Sequence, residues 1–247
     1  MRGDIWFTRL RSRRDYASVT PLIDELAPVD FGAGMTVSHR LMWSVMPGDV
    51  LAMHDRASTE KPDMAAFLWR EAESGRKFYI LGPRPVASSP FFIIESKPYE
   101  PEFIEGDCLT FDLRVNATVS QKEYEGFKGR CRPLDVVMAS MRAEEASALA
   151  SGFAIAPRTQ RRMETAERSV TEWLKRVGAH DGFEVKSTHL DSYHDESLPR
   201  RGFKAKIGVC DLRGTLEVTD SERFLARVLR GFGRAKAFGC GMMLLRR

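Results

Sequence analysis

Residues 108–119, CLTFDLRVNATV, alternate apolar and polar side chains over the length of a β-strand. Leu109, Phe111, Leu113 and Val115 share one face of that strand, because successive side chains point to opposite sides of a sheet. The rest of this half of the chain predicts a helix, two strands, a second helix and a last strand. These are ERSVTEWLKRVGAHDG (167–182, with the helix ending at Gly178), FEVKSTHLDSYH (183–194), FKAKIGVCDLRGTLEV (203–218), SERFLARVLR (221–230) and MMLLRR (242–247).

This βαββαβ order is that of a ferredoxin-like domain, an α+β fold with an antiparallel sheet. The upstream half predicts a more irregular copy: strand, helical region, strand, strand. Its strands are IWFTRL (5–10), KFYILG (77–82) and FFIIES (91–96); its helical pieces are DYASVTPLIDEL (15–26), TVSHRLMWSVM (36–46) and MAAFLWR (64–70). Residues 97–107, KPYEPEFIEGD, have no clear period and contain two prolines, so we place a domain boundary there, between 1–100 and 101–247.

Composition narrows the functional class only weakly. The chain has 247 residues and a net charge of +4, which suits a nucleic-acid partner without requiring one. The four cysteines, Cys108, Cys131, Cys210 and Cys240, form no CxxC pair and are expected to be buried thiols in a reducing cytosol. Asp4 interrupts any signal core and no apolar run could span a bilayer, so we expect a cytoplasmic protein with no membrane contact.

Residues 231–241, GFGRAKAFGCG, are the strongest binding signal in the chain. Four glycines stand beside Arg234 and Lys236, so bare backbone N–H groups lie next to positive charge and a phosphate can approach them. A helix cap after SERFLARVLR accounts for Gly231 alone. We therefore predict that Gly231, Gly233, Arg234, Lys236 and Gly239 bind a polyanion through its phosphates.

Two further basic segments favour an RNA partner, since four-stranded sheets of this kind commonly bind RNA through their faces or the basic elements around them. Each segment on its own is equally compatible with a solvated surface. The candidate phosphate contacts are Lys128, Arg130 and Arg132 in FKGRCRP, and Arg158, Arg161 and Arg162 in PRTQRR.

Several motifs together resemble one family. HRLMW, the following FLWR, SKPYEP, FDLRVNATV, GRCRP, RGTLEV and the terminal GFGRAKAFGCGMMLLRR occur in the order seen in the CasE family of CRISPR-associated repeat endoribonucleases. The resemblance spans nearly the whole chain. It implies two tandem ferredoxin-like (RRM-like) domains, cleavage of precursor CRISPR RNA at the base of the repeat hairpin, retention of the product, and a place in the Cascade complex with other subunits.

The resemblance also implies that His39 is the catalytic histidine and that Arg40 beside it contacts RNA. A histidine can donate or accept a proton near neutral pH, and RNA can supply its own 2′-hydroxyl as nucleophile, so neither metal nor cofactor is required. Whether His39 acts as acid or base stays open. Many relatives carry a tyrosine three residues before this histidine, where this chain has Thr36. Thr36 or Ser38 could hold a water or a phosphate oxygen instead.

Two alternative functions remain beside the nuclease. Because the chain has Thr36 where many relatives have a tyrosine, a repeat-RNA-binding subunit that has lost its nuclease activity remains an alternative. A nucleotide-binding enzyme is disfavoured because the glycine-rich loop lacks GxxxxGK[ST] and precedes a strand. A metal site at His189, Asp191 and His194 is disfavoured because their spacing matches no familiar site and a strand would point the two histidines to opposite faces.

Overall fold

The computed structural model describes residues 5–13, 38, 41–48, 50, 65–73, 76–120, 133–200 and 203–247. Two four-stranded antiparallel sheets form its framework, one from each half of the chain. The fold is α+β and consists of two tandem ferredoxin-like domains, as the sequence predicts.

The first sheet has the strand order β2-β3-β1-β4. Its strands are β1 (Trp6–Ser12), β2 (Leu68–Ala72), β3 (Lys77–Gly82) and β4 (Phe92–Pro98). Residues 41–43 are helical and precede β2, whereas residues 83–91 connect β3 to β4 without a helix. That connection contains three prolines, which lack the N–H group a helix needs, so the second helix of the ferredoxin-like order is replaced by a loop.

The prediction that residues 64–70 continue a helix is wrong, because residues 65–67 are not helical and Leu68–Ala72 form β2. Trp69 packs into the core of the first domain, while Leu68 packs on the opposite side, into the core cluster that includes the second domain. Both faces of this strand are therefore buried. A short apolar run of that kind cannot be distinguished from a buried helix by periodicity.

The second sheet has the strand order β10-β5-β9-β8, the ferredoxin-like arrangement predicted from the sequence. A separate pair of short strands, β6 and β7, lies between its first strand and its helices. The elements are β5 (Cys108–Val115), β6 (Thr118–Ser120), β7 (Pro133–Asp135), α1 (Val136–Ser151), α2 (Arg158–Asp181), β8 (Phe183–Arg200), β9 (Phe203–Val218), α3 (Ser221–Arg230), a 3₁₀ helix (Lys236–Phe238) and β10 (Met243–Arg246).

Helix α2 packs Val170, Trp173 and Leu174 against the sheet, at the spacing expected of an amphipathic helix. It ends at Asp181 with Gly182 in the left-handed region, so the predicted end at Gly178 is wrong. Gly178 lies inside the helix. Glycine is needed there because a Cβ at this position would stand 2.4 Å from the carbonyl oxygen of Phe183. A glycine needed for close packing was read from the sequence as a cap.

Strands β8 and β9 extend past the sheet that they belong to. Val115, the last residue of β5, pairs with Cys210, whereas β8 and β9 stay paired from His194↔Val209 to Arg200↔Phe203. We call residues 194–200 and 203–209 the β8–β9 arm. The sequence predicted both strands but not that they project together beyond the sheet.

Two smaller findings complete the fold. Cys210 and Cys240 are buried as predicted, whereas Cys108 is exposed, at the outer start of β5, and Cys131 lies outside the described residues. Among the helices described, none is long and apolar enough to cross a membrane.

Candidate nucleic-acid interface

The loop at residues 231–241 is closed by backbone hydrogen bonds to β5 and to itself. Phe232 N donates to Gly241 O (2.8 Å), Gly241 N donates to Arg114 O (2.7 Å), and Arg234 N donates to Asn116 O (3.0 Å). Gly233 has φ +63°, and a Cβ there would lie 2.5 Å from the Asn116 carbonyl oxygen. Glycine is therefore required at this position by both conformation and space.

The same loop holds one strained residue. Ala235 has φ +56°, in the left-handed region that residues with a Cβ adopt at a cost of roughly 1–2 kcal/mol. It directly precedes Lys236, the first residue of the 3₁₀ helix, and so directs where that lysine leaves the backbone. Strain of this kind concentrates at functional sites.

Lys236 is the centre of a group of cations. Burial lowers its pKa below the usual lysine value, and the nearby positive charges of Arg227, Arg230 and Arg234 lower it further. Of these arginines, Arg227 is engaged by the carboxylate of Asp181, with Nη2 2.6 Å from Oδ2. Within the described residues, Arg230, Arg234 and Lys236 form no ion pair with a carboxylate. The loop therefore carries positive charge that an anionic ligand can neutralise.

The start of α2 is basic in sequence but largely neutralised in the structure. Arg158 makes a two-pronged contact with Glu145 (Nε and Nη2, both 2.6 Å), and Arg161 pairs with both Glu144 and Glu145. The side chain of Arg161 is only 10% exposed, whereas that of Arg158 is 50% exposed. Arg158 is thus accessible to RNA, and Arg161 mainly fastens α2 to α1.

Arg162 lies on the other side of α2, toward the β8–β9 arm. Its guanidinium is 4.7 Å from the centre of the Tyr193 ring, and Nη2 donates to Asp195 Oδ1 at 3.0 Å. These contacts place a partly exposed cation at the base of the arm. The prediction that Arg158, Arg161 and Arg162 bind RNA stays a prediction.

Two of the three predicted catalytic residues, Thr36 and His39, lie outside the described residues. So do four of the predicted RNA contacts: Arg40, Lys128, Arg130 and Arg132. Ser38 is described; it is helical and half-buried. Downstream of it, Met42 and Val45 are completely buried in the core of the first domain. The chain that follows His39 is therefore anchored to that core.

Sequence reasoning missed a polar network on the polar face of β5 in the second sheet. Arg114 of β5 pairs with Glu196 in the arm and with Asp211 of β9, whose Oδ2 is 3.1 Å from Arg114 Nη1. The sequence placed Arg114 on the polar face of an alternating strand. It did not show the partners of Arg114, because these depend on the register between strands.

The remaining histidines do not converge on one site. His189 lies 3.5 Å from Glu167 and 3.7 Å from Asp191, whereas His194 Nε2 lies 3.0 Å from Glu196 Oε1. Among the residues described, no cluster of three or more His, Cys, Asp or Glu side chains could hold a metal ion.

The family model described as "CRISPR associated protein" matches residues 6–247. The chain belongs to this family. The match confirms the family resemblance indicated by the motifs. By sequence, no curated protein matches the chain.

Solved structures of other CRISPR-associated proteins share the fold of this family member over nearly their whole length. A structure of CRISPR endoribonuclease Cse3 bound to 19 nt RNA aligns with TM-score 0.63 and 18% identity, covering 99% of each chain. The CRISPR-associated protein Cas6e from Escherichia coli K-12 aligns with TM-score 0.54 and 18% identity, covering 97% of this chain and 98% of that one. A chain of a CRISPR RNA-guided surveillance complex aligns with TM-score 0.55 and 15% identity, covering 97% and 98%. At these identities the likeness establishes the fold.

Proposed function

We propose that this protein is a metal-independent endoribonuclease that cleaves precursor CRISPR RNA at the base of the repeat hairpin. The observation that carries the proposal is a family match along residues 6–247 in a chain whose terminal loop presents positive charge without paired carboxylates. The likeness to an endoribonuclease bound to RNA supports the same activity. The likeness to a surveillance-complex chain supports a further step, in which the protein keeps its product and assembles in the cytoplasm with other Cascade subunits.

The chemistry uses the RNA as its own nucleophile. The 2′-hydroxyl at the scissile nucleotide loses its proton and attacks the adjacent phosphorus, and the bond from phosphorus to the 5′-oxygen breaks. That oxygen takes up a proton, which leaves a 2′,3′-cyclic phosphate and a 5′-hydroxyl. His39 supplies one of the two proton transfers, and Ser38 or Thr36 holds a water or a phosphate oxygen in line.

The terminal loop holds the RNA rather than cleaving it. Lys236 and Arg234 lie on a rigid backbone closed onto β5, so phosphates meet cations that are already placed. A-form RNA exposes its phosphates and its shallow minor groove, which suits recognition by shape. The proposed RNA contacts are Arg40, Lys128, Arg130, Arg132, Arg158, Arg161, Arg162, Gly231, Gly233, Arg234, Lys236 and Gly239. We add Arg230 to this proposal because its charge lies near Lys236.

A second candidate is a repeat-RNA-binding subunit without nuclease activity, favoured by Thr36 in place of the tyrosine of many relatives. One experiment separates the two. Labelled repeat hairpin is incubated with the protein in excess EDTA, beside a hairpin carrying 2′-deoxyribose at the scissile nucleotide. The nuclease predicts cleavage of the unmodified hairpin only. Tight binding without cleavage selects the second candidate, and the absence of hairpin binding rejects both.

Hairpin affinity is expected to fall as the pH rises toward the ordinary lysine pKa of 10.5. The pKa of Lys236 is lowered in the free protein, and a bound phosphate raises it again, so binding favours the protonated lysine. The affinity therefore has its full value at pH values below the free-state pKa of Lys236. It falls as the pH rises from the free-state pKa to the bound-state pKa of this lysine. The measurement is the Kd of the 2′-deoxy hairpin across this range.

The control for this pH dependence is Lys236→Arg, whose guanidinium stays charged throughout. This variant should show a flatter pH profile than the wild type. Equal profiles for the two proteins would contradict a role for Lys236 as a phosphate ligand.

A further inference from the structure

Two predicted RNA-binding segments, the terminal loop and the start of α2, meet at four residues inside the second domain. The four residues are Asn116, which directly follows β5, Asp135 at the end of β7, Tyr193 in β8 and Gly208 in β9. We call them the polar junction. The terminal loop and the start of α2 each contact it directly.

Asn116 joins the terminal loop to the β8–β9 arm. It is 5% exposed, and its side-chain Nδ2 donates to the carbonyl oxygen of Gly208 at 2.7 Å. Its own carbonyl oxygen accepts the 3.0 Å bond from Arg234 N. A single buried residue thus fixes the loop that carries Arg234 and Lys236 relative to the base of the arm.

Asp135 joins the arm to the helices. Its Oδ1 accepts from Val137 N (2.9 Å) and Met138 N (3.0 Å), which caps α1, and also from the Tyr193 hydroxyl (3.1 Å). Gly208 fits against it, because a Cβ on Gly208 would lie 2.2 Å from Asp135 Oδ2. Burial raises the pKa of Asp135 above its usual value, and these hydrogen bonds partly oppose that rise.

The junction also reaches the start of α2. The ring of Tyr193 lies against the guanidinium of Arg162, at the start of α2. Displacing Asn116 or Tyr193 would therefore change the spacing between groups of cations without removing any cation.

We propose that the polar junction determines specificity for double-stranded RNA by holding the basic segments at the spacing of phosphates on an A-form helix. The inference rests on the proposed function as an RNA-binding protein. A duplex presents its phosphates at fixed separations, so a displaced cation loses its partner. A single strand adapts its backbone and follows the cations wherever they lie. The junction residues are positioning residues and touch no RNA.

The test compares two RNAs at one salt concentration: the repeat hairpin and a single strand of equal length and composition that cannot fold. Asn116→Ala is expected to weaken hairpin binding roughly tenfold, as expected for loss of a buried hydrogen bond, and single-strand binding by less than about twofold. Tyr193→Phe removes one hydroxyl only and should change the ratio of the two affinities in the same direction by a smaller factor. It keeps the inference testable if the first variant folds poorly.

The matched control is Ser169→Ala. Ser169 is 4% exposed and donates its hydroxyl proton to the Thr165 carbonyl oxygen inside α2, so the control also removes a buried hydrogen bond from the same domain. It should leave the affinity ratio unchanged. A parallel loss for both RNAs in Asn116→Ala and Tyr193→Phe, or no loss for either, would overturn the inference while leaving the proposed function intact. Failure of the wild type to prefer the hairpin would overturn both.

Discussion

Replacing His39 with alanine is expected to slow cleavage of the repeat hairpin by roughly 10²–10⁴, the range typical of a positioned proton donor or acceptor. Hairpin affinity should change little, because the phosphate contacts that we propose lie mainly in the second domain. The measurement is the single-turnover cleavage rate with enzyme in excess, alongside the Kd for the 2′-deoxy hairpin. Single-turnover conditions isolate the chemical step from product release, which the proposed product retention would slow.

His180→Ala is the matched control for this substitution. His180 is exposed near the end of α2, where its Nδ1 lies 3.0 Å from Asp181 Oδ1, and it has no place in the proposed chemistry. It should cleave at the wild-type rate. Undiminished cleavage by His39→Ala would assign the proton transfer to another group. A large loss of hairpin binding in that variant would give His39 a binding role instead.

The second domain was predictable because its signals are local. The side chains of strand β5 alternate between a buried face and a more exposed one. Helix α3 begins after Asp220 and ends before Gly231, and both residues are typical of helix caps. Helix α1 gave no such signal: its exposed Leu149 and its alanines show little amphipathic order. The structure shows that Asp135 caps its first turn, but this aspartate is equally typical of a loop.

The first domain was less predictable because one of its strands depends on the other domain. The sequence predicts Leu68 and Trp69 as part of a helix. In the structure they lie in β2, and the second domain covers the side of this strand that carries Leu68. Arg70 on the same strand pairs with Asp112 of β5, with Nη2 2.5 Å from Oδ1. A Cβ on Gly239 would stand 3.1 Å from the Trp69 ring. Contacts between residues so distant in sequence leave no local pattern.

The candidate site, like the fold, was only partly predictable from the sequence. The glycines of the terminal loop and its two cations were evident in the sequence. The contributions of Arg227 and Arg230 were not, because they depend on the loop folding back over the end of α3 through the Phe232–Gly241 and Gly241–Arg114 hydrogen bonds. Asn116 belonged to a distinctive motif, LRVNAT, but only the structure shows that its amide bonds to Gly208.

Removing both cations of the terminal loop, by Arg234→Ala with Lys236→Ala, is expected to weaken hairpin binding by roughly 10- to 100-fold at about 0.1 M salt. Each phosphate that a cation neutralises releases a counterion, so the slope of log K against log salt should shrink by about two. The measurement is a series of Kd values for the 2′-deoxy hairpin between low and moderate salt. Cleavage of hairpin already bound, under saturating protein, should keep nearly its wild-type rate because His39 is untouched.

The control is a double variant that removes two cations already held by carboxylates, Lys186→Ala with Arg223→Ala. Lys186 Nζ lies 2.7 Å from Glu184 and 2.9 Å from Glu217, and Arg223 Nε lies 3.2 Å from Asp220. Both double variants lower the net charge of +4 by two, so a general charge effect would weaken hairpin binding equally in the two proteins. A reduced slope in the loop variant alone assigns the phosphates to the terminal loop. Equal slopes would remove this loop from the interface, because two cations free of carboxylates would then contribute no more than two that are already neutralised.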